Sequence, residues 1–186
     1  MSLTDIDWSE IPAPEDDGKA NHLQGAELPA VGLPATDGRT VDLGALSGLT
    51  VLYIYPRTGH PDVDLPEGWN DIPGARGCTP QSCAFRDHYA QLKALGVDQV
   101  YGLSAQATAD QSEAAERLNL PYPLLSDADG KLRRALDLPA FEADGQTLLK
   151  RLTLILRDAA IVDVGYPVFP PDADVLRVIA WLDRED

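Results

Sequence analysis

Thr50-Val51-Leu52-Tyr53-Ile54-Tyr55 is a continuous β-branched and aromatic run, preceded by Gly48 and closed by Pro56. A strand with no polar alternate face must be covered on both sides, so this run predicts an interior strand of a sheet held between two other layers. Val100 to Ala105 reads as a second buried strand. Between the two lies a helix from about Thr79 to Leu95, with Thr79 as N-cap, Pro80 in the first turn, Gly96 as the stop and an apolar stripe of Phe85, Tyr89, Leu92 and Leu95. Downstream, Thr108 to Leu118 reads as an amphipathic helix, Leu124-Leu125 as a short strand and Asp129 to Leu136 as a short helix. Gln146 to Leu156 and Ile161 to Tyr166 read as strands, and Pro170 to Arg184 as a terminal helix. Upstream, the turn dipeptide Asp37-Gly38 between two short apolar stretches predicts a β-hairpin. Two βαβ-type units followed by a ββα unit predict an α/β fold, a central mixed β-sheet flanked by helices on both faces.

At 186 residues the chain suits one domain, expected over residues 29–186, behind an acidic N-terminal extension over 1–28 that shows no periodicity. The extension carries Asp5, Asp7, Glu10, Glu15, Asp16 and Asp17 and no basic segment leading into an apolar run, so it does not read as a signal peptide. No stretch approaches the roughly 18 consecutive apolar residues of a spanning helix. The expectation is a soluble, cytoplasmic protein. Fifteen basic residues against 30 acidic ones leave a net charge of -15. A surface of that sign repels phosphate backbones and anionic lipid, which disfavours nucleic acid and membrane partners. From Arg57 to Gly77 the chain is rich in Pro, Gly and Asp, a long loop of the kind that is functional or disordered, in which Trp69 either roofs a pocket or lies on the surface.

The only two cysteines, Cys78 and Cys83, stand at the head of the expected helix, five residues apart. Cytosolic thiols are kept reduced, so a close pair there points to catalysis, redox sensing or metal binding rather than a staple. Zinc takes four ligands, or three and a water, and the chain adds only the scattered His22, His60 and His88; no metal or other cofactor is expected. An attacking cysteine works as the thiolate, and a thiol with a pKa of about 8.5 needs positive help near neutral pH. The partial positive charge and free N–H groups of a helix start supply it at Cys78, and fade by Cys83 about one turn on. Cys78 is therefore the candidate nucleophile and Cys83 its partner. Five helical residues rise about 7.5 Å, beyond the roughly 7 Å between Cα atoms that a disulfide spans, so a bond between the two requires the first turns to unwind.

The segment Gly77-Cys78-Thr79-Pro80-Gln81-Ser82-Cys83-Ala84-Phe85-Arg86-Asp87 resembles the active-site segment of Q-type peroxiredoxins, also called bacterioferritin-comigratory proteins. Pro29 to Tyr55, the Pro-Leu-Leu-Ser-Asp run at 123–127 and Arg151-Leu152-Thr153-Leu154-Ile155 resemble further segments of the family in the same order. The resemblance covers about residues 25–182. It implies a thioredoxin-like fold and reduction of hydrogen peroxide or organic hydroperoxides: Cys78 becomes a sulfenic acid, Cys83 resolves it to a disulfide, and thioredoxin or a similar dithiol restores the pair. It also assigns Arg151 the family's active-site arginine, which supports the thiolate and the developing oxyanion. One departure is visible. The family pattern Pro-x-x-x-Thr-x-x-Cys places a hydroxyl three residues before the nucleophile, where this chain has Ala75, and Asp71 occupies the Pro position. Pro56 and Thr58 resemble the displaced front of the motif, which makes Thr58 a candidate to fold back and supply the hydroxyl. Two other functions stay in view. A disulfide reductase is disfavoured because the cysteine spacing is two residues longer than Cys-x-x-Cys. A thioredoxin-fold sensing or interaction module with little peroxidase activity would use the extension or the Trp69 loop for binding.

Overall fold

The computed structural model describes residues 6–185; the first five residues of the acidic extension and Asp186 lie outside it. In chain order it contains β1 (Gly32–Pro34), β2 (Thr40–Asp42), β3 (Leu49–Ile54), α1 (Cys78–Asp87), α2 (Tyr89–Ala94), β4 (Gln99–Ser104), α3 (Thr108–Arg117) and β5 (Leu124–Ser126). There follow α4 (Lys131–Leu136), β6 (Ala140–Ala143), β7 (Gln146–Leu149), β8 (Leu152–Arg157), β9 (Ala160–Gly165) and α5 (Asp174–Glu185). Five strands form one mixed sheet in the order β5-β4-β3-β8-β9. Strand β3 runs parallel to β4 and β4 to β5, while β8 is antiparallel to both β3 and β9. The run that reads as a doubly covered strand is thus the middle strand, and Val51 to Ile54 are wholly buried.

Alternation along β3 builds two cores. Leu52 and Ile54 join Leu23, Leu33, Leu43 and Leu132 on one face, beneath the β1–β2 hairpin and α4. Val51, Tyr53 and Tyr55 meet Phe85, Leu92, Val175 and Val178 of α1, α2 and α5 on the other, and Cys78 belongs to this second cluster. The helices on both faces are what β3 needs, because strands with two apolar faces lose water contact only between two layers. Among the described residues no helix is long and apolar enough to cross a membrane, and no group of three or more His, Cys, Asp or Glu is placed to hold a metal ion.

Three local readings are corrected. The expected helix over 79–95 starts at Cys78 and is broken at His88 (φ -102°, ψ 7°), and its N-cap is Gly77, not Thr79. The expected strand over 146–156 is two strands: β7 pairs with β6 around Asp144-Gly145, and the sheet strand β8 begins only at Leu152. That break leaves Arg151 at the mouth of β8. Trp69 lies in neither expected place; at 4% exposure it is packed into a small cluster with Ala75 and Leu148, with the Arg57 guanidinium carbon 6.0 Å from its ring centre.

The N-terminal stretch crosses the surface as a strap. Trp8 Nε1 donates to Asp172 (3.1 Å), and its ring meets Phe169 edge-on at 5.9 Å. Asp17 accepts from Lys150 Nζ (2.8 Å) and from the Tyr166 hydroxyl (2.7 Å). Ala20 and Leu23 are buried in the first core.

Candidate active site

Cys78 is the first residue of α1, and the backbone that delivers it is unusual. Gly77 has φ +111°, and a Cβ there would lie 2.6 Å from Pro171 Cγ and 2.8 Å from the Trp8 ring. Only glycine meets both demands. Gly77→Ala is expected to cost roughly 1–3 kcal/mol through backbone strain and overpacking, read as a lowered Tm, and to slow Cys78 oxidation because the helix start shifts.

Arg151 reaches the sulfur directly. Its Nη2 donates to Cys78 Sγ at 3.2 Å and approaches the carbonyl oxygens of Gly74, Ala75 and Arg76 at 3.2–3.3 Å. Its Nη1 donates to Gln81 Oε1 at 2.5 Å, and Gln81 Nε2 in turn donates to Asp174 Oδ2 at 2.9 Å. Thr153 Oγ1 donates to the same carboxylate oxygen at 2.5 Å. The geometry follows from local periodicities. Arg151 and Thr153, two apart at the start of a strand, share one face, and Gln81, three residues after Cys78, lies on the same side of α1. Burial pushes the Asp174 carboxyl up, against the pull of Thr153, Arg177, Gln81 and Arg151. A fixed guanidinium, anchored through Gln81 to a buried carboxylate, is thereby aimed at Sγ. The Arg151 Nε is buried and has no acceptor among the described residues.

The two cysteines differ as their positions require. Both are free; Cys78 is 4% exposed and packs in the core under β3, while Cys83 is half-buried. Burial pushes the Cys83 thiol up, with Arg86 opposing. The turn between them is pinned to the sheet: Tyr53 donates to Ser82 Oγ (3.0 Å), and Tyr122 donates to the Ser82 carbonyl (2.8 Å). Phe85 stacks on Tyr53 with ring centres 4.5 Å apart.

Thr58 is not joined to Cys78 by a hydrogen bond. Its hydroxyl donates to Gln106 Oε1 at 3.3 Å, and its N–H reaches the same oxygen at 3.0 Å. At the position where the hydroxyl is expected, the Ala75 side chain turns into the Trp69 cluster and its carbonyl accepts from Cys78 Sγ at 3.7 Å. Of the residues singled out in the sequence, Cys78 and Arg151 are brought together and Cys83 lies one turn away on α1. Sequence reasoning missed Gln81 and Asp174; the signal for Gln81 was its i+3 spacing from Cys78, and Asp174 carried none.

The mixed sheet with a cysteine at the head of a helix and an arginine on its sulfur defines a thiol-reactive protein of thioredoxin-like fold. The sequence matches the Redoxin family over residues 23–179. It is 34% identical over 144 residues to "Peroxiredoxin Q, chloroplastic" of Oryza sativa subsp. japonica, covering 77% of this chain and 58% of that one. It is 32% identical over 148 residues to the protein of the same name from Sedum lineare, covering 79% of this chain and 70% of that one. The chain thus spans less than two thirds of the rice relative's length. Among solved structures, peroxidoxin BcpB of Mycobacterium tuberculosis superposes with a TM-score of 0.70 at 25% identity, covering 88% of this chain and 97% of that one. Peroxiredoxin Q of Xanthomonas campestris gives a TM-score of 0.66 at 23% identity, covering 85% and 95%. The chain belongs to the Redoxin family and, within it, to the Q-type peroxiredoxins.

Proposed function

We propose that this chain is a thiol-dependent peroxidase that reduces hydrogen peroxide or organic hydroperoxides. The observation that carries the proposal is the Arg151 Nη2 donor 3.2 Å from Cys78 Sγ at the N-terminus of α1. A permanently charged planar donor in a buried site favours negative charge on the sulfur and on the oxygen expelled when the peroxide bond breaks. The Cys78 thiolate attacks the terminal peroxide oxygen. The S–O bond forms as the O–O bond breaks, and the leaving oxygen takes a proton to become water or an alcohol. Cys78 is left as a sulfenic acid. Cys83 then displaces hydroxide, which leaves as water, to form the Cys78–Cys83 disulfide, and thioredoxin or a similar cytoplasmic dithiol reduces it.

Because α1 is continuous through both cysteines, the disulfide forms only after its first turns release Ser82 from Tyr53 and Tyr122. A sensing or interaction module is the weaker reading, since it gives no reason to aim a buried guanidinium at Sγ.

Peroxide-dependent oxidation of a reduced thioredoxin in the presence of the protein tests the activity. A turnover no faster than with Cys78→Ser would refute it. In the same assay Thr58→Val is expected to slow the reaction only fewfold, because Gln106 holds the hydroxyl. A loss as large as that from removing Arg151 would instead put the Thr58 hydroxyl on the peroxide.

A further inference from the structure

A cavity of about 560 Å³ opens beyond the carboxyl ends of the parallel strands β3, β4 and β5, and neither cysteine nor Arg151 lines it. Its walls are the segments that leave those strands, with Arg57 after β3, Ala105 to Ala107 after β4 and Asp127 to Gly130 after β5, together with Arg133 and Arg134 of α4. Crevices at this edge of an open α/β sheet are where such folds take ligands. Three guanidinium groups meet here. A Cβ on Gly130 would lie 2.9 Å from Arg134 Nη1 and 3.3 Å from Arg133 Nη2, so two like charges are drawn toward one point. Arg57 is steadied by Trp69, whose ring centre lies 6.0 Å from the guanidinium carbon, and its Nε is buried with no acceptor among the described residues. The chain carries 30 acidic residues against 15 basic ones, yet among the described residues no carboxylate oxygen comes within 4.0 Å of these three arginines. Of the carboxylates that also line the cavity, Asp127 accepts from the backbone N–H groups of Leu132 (3.0 Å) and Arg133 (2.9 Å), and Asp129 faces Lys131 Nζ at 3.6 Å. Asp110 stands exposed in the first turn of α3. That helix starts at the cavity wall with Ala107 as its N-cap and no side-chain cap, which leaves its first N–H groups open.

We propose that this cavity is a binding site for a small polyanion, a molecule with at least two phosphoryl or carboxylate groups, held between Arg57 and the Arg133–Arg134 pair. The inference goes beyond the peroxidase reading and does not depend on it. A buried guanidinium N–H without an acceptor is costly, and two converging cations repel each other; one multiply charged anion relieves both. Planar guanidinium forks match the oxygen pairs of phosphate and carboxylate, and the open N-terminus of α3 favours the same sign of charge. The volume falls in the range of roughly 300–1,000 Å³ that small-molecule sites occupy, with room for more than a single phosphate. A net charge of -15 works against general attraction of anions, so retention here comes from these arginines rather than from a basic surface.

The test is isothermal titration calorimetry on the reduced full-length protein, with pyrophosphate and citrate as separate probes. One-to-one binding of at least one probe is expected, and the tighter of the two separates phosphoryl from carboxylate recognition. Arg133→Gln combined with Arg134→Gln is expected to weaken that binding at least about tenfold, the scale of losing charge-assisted hydrogen bonds, and Arg57→Gln by a similar factor. The α4 double variant changes one exposed and one partly exposed residue, so its Tm without ligand should match wild type and a lost signal cannot be ascribed to unfolding. Arg157→Gln is the control for general charge. This exposed arginine pairs with Leu49 at the start of β3, the edge of the sheet opposite the cavity, and its variant should bind as wild type does. Failure of both probes to bind one to one at millimolar concentration would overturn the proposal. So would unchanged affinity in the α4 double variant, or an equal loss in Arg157→Gln. The titration reads binding rather than turnover, so any of these results leaves the peroxidase reading standing.

Discussion

Replacing Arg151 by Ala is expected to slow the oxidation of Cys78 by hydrogen peroxide roughly 10²–10³-fold, the usual loss when a preorganised donor to a developing oxyanion is removed. The expectation follows from position rather than charge alone. Arg151 is 3% exposed, and its donors are divided between Cys78 Sγ, Gln81 and three backbone carbonyls, so the guanidinium is held before substrate arrives. Lys at the same position keeps the charge but loses the planar fork that serves Sγ and Gln81 together, and Arg151→Lys should still lose at least tenfold. Gln81→Leu should show the indirect version of the effect, a smaller loss, because it removes the link to Asp174 without touching the sulfur. Stopped-flow measurement of the second-order oxidation rate checks all three. Rates for Arg151→Ala within about threefold of wild type would remove the arginine from the chemistry, since a preorganised donor is worth far more than that.

Cys83→Ser is expected to halt the cycle after its first step. Peroxide attack still generates the Cys78 sulfenic acid, but no thiol lies within the chain to condense with it, and steady-state turnover with thioredoxin should fall to near background. The same variant should accumulate over-oxidised sulfinic acid at Cys78 when peroxide is in excess, because the competing fate of a sulfenic acid is further oxidation. Mass spectrometry distinguishes one added oxygen from two. The physical basis is that Cys83 in the folded helix is a half-buried thiol pushed up by burial, suited to wait for a partner rather than to attack peroxide itself. Its turn comes when α1 opens. In the proposed cycle, opening breaks the hydrogen bonds from Tyr53 and Tyr122 to Ser82 and from Arg151 to Gln81.

Much of this arrangement is legible in the sequence, for reasons that differ from residue to residue. The middle strand declares itself because Val51 to Ile54 leave no polar face, and the need for cover on both sides then implies the layers. Cys78 and Cys83 are legible because helix geometry makes five-residue spacing unequal at a helix head. Arg151 is not legible from pattern, since an arginine within an apolar strand usually faces water; it entered through the resemblance of its segment to a family. Gln81 and Asp174 escaped because the bond between them spans 93 residues, and a polar residue beside a cysteine, or an aspartate opening a helix, has an ordinary local explanation. The split at Lys150-Arg151 escaped because apolar residues flank it on both sides, so that β7 and β8 read as one run. The Asp144-Gly145 turn, with both residues at positive φ, is the same signal as Asp37-Gly38 and marks the β6–β7 hairpin once that split is seen.

In the proposed cycle the two cysteines have unequal and sequential roles on a helix that opens between them. This is tested most directly by treating reduced protein with one equivalent of hydrogen peroxide and mapping the products by peptide mass spectrometry, in wild type and in Cys78→Ser. The expected result is rapid, complete formation of an intramolecular Cys78–Cys83 disulfide in wild type and an inert Cys83 in Cys78→Ser. Slow oxidation of both thiols at similar rates, or oxidation of Cys83 that proceeds as fast without Cys78, would rule out these separate roles.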